Sequence, residues 1–274
     1  MMQKRIFMLV CISFAVLCGY AQQNQGEVFP SARTRMWLKE KQVGTSVLHV
    51  DYAMNADSIG QEHTYIDLQR LEVGKECAKY YSLFLKRSVG KTHVSGGAIV
   101  RGSKSGKNGS FWNDLQYTDL YFKDGQVTEF VSMPMKMERY DSQFTEACPP
   151  QEWTLYQETK TIWGYKCQKA TCHWRGRDFV AWFAPDIHVK RGPWRFNGLP
   201  GLILKVYDTK RLYTFEVVSI KKTEEPIMLY NFGYKTSARK KVRELERAIQ
   251  ENYWKAATTS TQFPDKPFEP LEKE

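Results

Sequence analysis

Apolar and polar residues alternate through most of this chain with the period of 2 that marks half-buried strands. Ser46–Ala53, Tyr65–Glu72 and Cys77–Leu85 alternate in this way. Tyr117–Lys123 and Gln126–Met133 flank Asp124-Gly125, a dipeptide suited to a two-residue hairpin turn. Trp153–Thr159 and Ile162–Trp174 predict a second hairpin, and Phe179–Ala184, Leu202–Asp208 and Tyr213–Ile220 continue the meander. The count is about nine or ten strands, neighbours in sequence and therefore expected to be antiparallel.

After Pro226 the period changes. Val242, Leu245, Ile249 and Tyr253 fall on one face of a helix that is predicted to start near Thr236 or Ser237. The face opposite is basic, with Arg239, Lys240, Lys241, Arg243 and Arg247. Strand twist accumulates, so a single sheet of this length must curl. The predicted fold class is mainly β: a curled antiparallel sheet, a half-barrel resembling that of periplasmic lipoprotein carriers, with a C-terminal amphipathic helix on its concave face. The domain reading is a signal peptide over 1–21, an N-terminal extension over 22–45, a β domain over 46–235, the helix over 236–257 and a disordered tail over 258–274. The stretch 88–113 inside the β domain is glycine-rich and reads as a long basic loop.

The leader places the protein. Lys4 and Arg5 precede an apolar run, Ile6–Leu17, that is too short to span a bilayer, and Gly19-Tyr20-Ala21 is a small-x-small cleavage site. Cleavage after Ala21 predicts a periplasmic or secreted protein. Lipidation at Cys18 is the lesser alternative, because Leu17 stands where a small residue is wanted. Cys77, Cys148, Cys167 and Cys172 remain in the mature chain. An even number in an oxidising compartment predicts two disulfides, with three possible connectivities and Cys148–Cys167 plus Cys77–Cys172 favoured. The formal charge of +10 points to acidic partners or anionic surfaces, and export argues against nucleic acid.

Chemistry is harder to find. The sequence has no nucleophile elbow, zinc-protease helix, P-loop or dinucleotide fingerprint, so no catalytic residue, metal site or cofactor is assigned. The histidines are scattered. Asp186 and Asp208 are weighed as an acid/base pair, and Asp208 sits at an ordinary turn position. Asp57-Ser58-Ile59 fits a short bacterial O-glycosylation pattern. Aromatic residues make up 14% of the chain. They suit β cores, and the alternative is that Trp163, Tyr165, Trp182, Trp194 and Phe196 line an apolar groove.

The most informative string is Gly198-Leu199-Pro200-Gly201-Leu202-Ile203. Pro200 suits the second position of a turn, Gly201 is expected to take positive φ, and the residues that follow are β-prone. Leu202 and Leu204 are expected on one face, with Ile203 and Lys205 on the other. This string resembles the motif that names the GLPGLI family, an exported Bacteroidetes family of unknown function. The resemblance extends through Ile162–Ala170 and Arg177–Ile187, and to Gly192, Pro193 and Asp208. Phe179, where Trp is expected, and Asp186, where Glu is commoner, depart mildly. The expected function is a non-catalytic periplasmic binding module for a hydrophobic ligand or peptide. The alternative is an accessory protein of a cell-envelope complex, such as an outer-membrane transporter, that uses the basic loop and helix.

Overall fold

The structure, a computed structural model, describes residues 27–28, 39–88, 100–101, 118–133, 138–231, 233–256 and 270–273. The signal segment with Cys18, most of the 22–45 extension, most of the basic loop, the last position of the predicted helix, 257, and residues 258–269 and 274 of the tail lie outside them.

Among the described residues thirteen strands form one sheet: β1 (Lys39–Met54), β2 (Asp67–Gly74), β3 (Cys77–Ser82), β4 (Thr118–Lys123), β5 (Gln126–Val131), β6 (Ser142–Ala147), β7 (Thr154–Ile162), β8 (Tyr165–Trp174), β9 (Arg177–Ala184), β10 (Leu202–Asp208), β11 (Thr214–Lys222), β12 (Pro226–Asn231) and β13 (Lys235–Thr236). Their order is β13-β6-β5-β4-β3-β2-β1-β11-β10-β9-β8-β7, and β12 adds to β1. All pairs are antiparallel except the short β13–β6 pair. The fold is mainly β, and the curled sheet does not close. A separate ladder pairs Glu27–Val28 with Val100–Arg101.

Three hairpins turn on two residues with positive φ: Asp124-Gly125 (51° and 71°), Trp163-Gly164 (52° and 81°) and Arg175-Gly176 (44° and 74°). That geometry is the type I′ turn, whose twist matches the flanking strands. The 16-residue β1 is the spine. Its first half pairs with β12 from Lys39 to Thr45, and its second half lies between β2 and β11. The strand therefore begins inside the stretch expected to be an extension.

Other boundaries also shift. The third predicted strand ends at Ser82, and Leu83–Ser88 continue as a short helix, α1. Lys235–Thr236 pair with β6, so the C-terminal helix α2 begins at Arg239. Val242 is buried and Leu245 half-buried, as the stripe predicts. Arg239 and Arg243 of the basic face turn inward to carboxylates.

The concave face is not an open groove. Residues 185–201, between β9 and β10, fold into it as a finger. Gly192 N–H donates to Phe196 C=O at 2.8 Å, and Phe196 N–H to Pro193 C=O at 3.1 Å, closing the tip. Trp194, Arg195 and Phe196 at that tip are each 2% exposed or less. Phe196 meets Phe179 edge-on at 4.8 Å between centroids, and Trp194 meets Tyr80 at 6.5 Å. Arg191 stacks on Phe122 at 4.5 Å. One finger thus ties β3 and β4 to β9 across the curl, and its burial supplies apolar contact that neither half of the sheet could make alone.

Candidate functional site

The finger carries Arg195 into a buried cluster of charge. Its guanidinium pairs with Glu129 of β5 and Glu146 of β6, and its Nε lies 3.2 Å from Glu272. Arg243 of α2 donates to Glu129 at 2.6 Å and to Glu246 at 2.7 Å. Arg175, in the β8–β9 turn, pairs with Glu272 and reaches Glu146 at 3.1 Å. Arg239 donates to Glu272 at 2.9 Å, and the Trp194 indole N–H does so at 2.7 Å. Buried charge is tolerated where each ion has partners and hydrogen bonds, as here. Burial would raise the Glu272 pKa, but the arginines, Arg195 foremost, prevail and hold its carboxyl down at about 2.

Glu272 belongs to the stretch expected to be a disordered tail. Residues 270–273 instead lie against the body of the protein, with Leu271 fully buried in the main core. Arg177 donates to the Pro270 carbonyl at 2.7 Å and to the Leu271 carbonyl at 3.1 Å. Lys273 N–H donates to Arg175 C=O at 3.1 Å. No periodicity could reveal a four-residue contact of this kind. The adjacent apolar and acidic residues, Leu271 and Glu272, were the one available signal.

Of the five aromatic residues expected to line a groove, Trp182, Trp194 and Phe196 belong to the buried core, Tyr165 packs against it, and Trp163 is exposed. Trp194 and Phe196 are the finger tip. Trp182 is buried in the main core, and Lys160 covers its ring at 3.9 Å. Trp163 stands 48% exposed on the β7–β8 turn, and Tyr165, just after that turn, is half-buried. The expected apolar groove is occupied by the protein's own finger and Leu271.

The four cysteines are free thiols, contrary to the predicted disulfides. Cys77 on β3 and Cys172 on β8 have five strands between them in the sheet order. Cys148 Sγ accepts from Asn197 Nδ2 at 3.8 Å, while the Cys167 thiol faces its own strand at the Tyr165 carbonyl, 3.5 Å away. Burial raises the Cys172 pKa to about 12 and the Cys167 pKa to about 11, so neither is an activated nucleophile.

Gly201 is absent from the residues with positive φ, and Gly198 takes that role at 91°. Gly201 is needed for space instead: a Cβ there would stand 2.2 Å from the Ala184 carbonyl oxygen. Leu202, Ile203 and Leu204 are all fully buried, so both faces of the strand are covered here, and a bulge opposite Trp182 and Phe183 shifts the register after Ile203. Asp186 is exposed beyond the Leu202 end of β10, and Asp208 lies at the far end, where Tyr213 N–H donates to it at 2.7 Å. The rise of the strand puts them roughly 20 Å apart, too far for a shared proton.

Charges on the other side of the sheet are also paired. Arg70 grips Asp51 at 2.7 and 2.9 Å, Lys79 meets Asp119 at 3.0 Å, and the Tyr81 hydroxyl donates to Glu72 at 2.7 Å. Among the described residues no group of His, Cys, Asp and Glu could hold a metal ion.

One surface is unlike the rest. β7 is the last strand of the sheet order and, among the described residues, pairs with β8 alone. Its pattern is exposed at nearly every position. Leu155 is 48% and Tyr156 42% exposed, and Trp163 follows at the strand's end. Opposite Lys169 the register shifts, leaving residues 156–158 bulged.

The fold and these features define a curled β module plugged by its own loop. Residues 125–245 match the family described as N-glycanase peptide, N-terminal domain. Two crystal forms of PNGF-II, in space groups P21 and C2, share the fold at a TM-score of 0.50 and 14% identity. The match covers 74% of this chain and 33% of that one in the first form, and 73% and 32% in the second. This chain thus spans about a third of the length of the structures it matches, and the likeness is one of fold. No curated protein matches the sequence.

Proposed function

We propose that this chain is an exported, non-catalytic binding module of the GLPGLI type that captures an extended segment of a protein partner on the edge strand β7. The observation that carries this reading is the unpaired edge itself. On either side of the bulge at residues 156–158 it is an edge for an incoming strand, with Leu155, Tyr156 and Trp163 exposed there. Natural sheets shield such edges with charge, proline or covering chain. Here Glu158 pairs with Lys169 on the neighbouring strand at 2.6 Å, which neutralises one guard charge. Strand addition gains affinity from the backbone and selectivity from alternate side chains. The match to an N-terminal domain of an N-glycanase supports an accessory role, because a module that is a third of a longer chain can bind beside another domain's chemistry. The filled concave face supports a peptide over a small apolar ligand.

Selection of a displayed library of ten-residue peptides against the full chain tests this. Enriched peptides should alternate apolar and polar residues, lose at least tenfold in affinity when alternate amides are N-methylated, and lose as much against the Leu155→Lys, Trp163→Ser variant. Peptides that bind that variant unchanged, or that tolerate N-methylation, would refute the edge-strand reading.

A further inference from the structure

We propose that the arginine-lined recess around Glu272 is a receptor site for an acidic peptide segment, filled here by the chain's own residues 270–273. Three features of recognition converge on Pro270-Leu271-Glu272. The backbone is read by Arg177, which donates to two successive carbonyls, those of Pro270 and Leu271. The apolar side chain is read by the core that encloses Leu271 completely. The carboxylate is read by Trp194 Nε1 and by Arg175, Arg195 and Arg239, which reach it from a turn, the finger and a helix. Such a combination selects an apolar residue followed by Glu and rejects either part alone.

The charges explain why the recess needs an anion. Glu129, Glu146, Glu246 and Glu272 stand against Arg175, Arg195, Arg239 and Arg243, so loss of Glu272 leaves these four arginines with three of these carboxylates. Arg195 is 1% exposed, so water cannot easily replace the partner it would lose. The occupant also differs from the rest of the fold in how it is held. It belongs to no strand or helix and is fixed chiefly by side chains reaching it from elements distant in sequence. An occupant held this way in cis is replaceable in trans by the same segment of a second copy of the chain.

The test uses the full chain carrying Leu271→Ala and Glu272→Gln, and a synthetic peptide of residues 268–273. Titration calorimetry should show micromolar binding to the variant and at least tenfold weaker binding to the unaltered chain, whose site is occupied. The peptide carrying Glu272→Gln should bind the variant at least tenfold more weakly than its parent. If the variant does not fold alone, refolding with the parent peptide should restore soluble protein whose melting temperature climbs with peptide concentration. A folded variant that binds neither peptide, or both equally, overturns the proposal, as does an unfolded variant that the peptide fails to rescue.

Discussion

The Trp194 indole donates to the Glu272 carboxylate at 2.7 Å, joining residues 78 positions apart in sequence. Trp194 makes this contact from a left-handed backbone conformation, φ 53°, that costs on the order of 1–3 kcal/mol in a non-glycine residue. The surrounding packing must exceed that cost. Trp194→Phe keeps a ring against Tyr80 and removes the donor, and is expected to destabilise by about 1–3 kcal/mol. Glu272→Gln leaves the arginines short of an anion and should cost about 3–5 kcal/mol. Urea midpoints at pH 7 give both values.

The same carboxylate sets an acid limit. Its pKa falls from 4.5 to about 2 on folding, so the unfolded chain binds the proton more readily between those values. Its stabilising contribution is complete above pH 4.5 and is lost as the pH falls towards 2. Stability of the native sequence should decline through that window by more than that of the Glu272→Gln variant. Parallel curves for the two would contradict the assignment.

Asp67 predicts the opposite slope. It is fully buried, Leu68 N–H donates to its Oδ1 at 2.9 Å and Ser82 at 2.8 Å, and its Oδ2 has no partner among the described residues. Burial raises its pKa from 3.8 to about 7. The folded state therefore keeps a proton that the unfolded state has lost, and stability should fall between pH 4 and pH 8 by up to about 4 kcal/mol. Asp67→Asn should flatten this part of the profile and be more stable than the native sequence at pH 8. Melting temperatures across pH 5–8 decide it.

Gly201→Ala should destabilise by about 1–3 kcal/mol, because its Cβ meets backbone that cannot rotate away. Gly125→Ala, at a turn with open space around it, carries only the cost of its φ of 71° and should be milder. Equal losses from the two would show that conformation, not crowding, governs the motif.

The thiols offer a chemical check. Reduction should leave the mass of the folded protein unchanged, since Cys77, Cys148, Cys167 and Cys172 are free. Alkylation at pH 8 should modify Cys148 first, because it is the one of the four that is not buried. A mass gain of about two hydrogens per reduced bridge would restore the disulfide reading.

Strands were legible where alternation meets a turn with a clear backbone demand. Asp124-Gly125 announces its hairpin, whereas Trp163 and Arg175 are poor advertisements for left-handed turn positions and are set by the glycine that follows each. The core was legible only in part. The finger reads as a loop because Arg191, Arg195 and Asn197 interrupt its aromatics, and only the carboxylates of β5, β6 and residue 272 make a buried arginine tolerable. The helix misled for the same reason. Arg239 and Arg243 look like a solvated face until their partners, remote in sequence, are known. Edge and centre are also indistinguishable in a sequence, so β7 could not be singled out before the strand order was seen.

The placement of β1 has a consequence in time. Strands β1 to β6, residues 39–147, form one ribbon of pairings between chain neighbours, and β7 to β11, residues 154–222, form another. The seam between the ribbons is the β1–β11 pairing, which joins Val50 to Ile220 and Met54 to Phe215. Pairing across so long a separation is slow, because the intervening chain must be gathered first. Each ribbon can zip locally, but neither has a complete interior until the seam forms and the finger is enclosed. Refolding should therefore show an early gain of β signal, followed by a slower phase in which the Trp194 environment and the seam appear together.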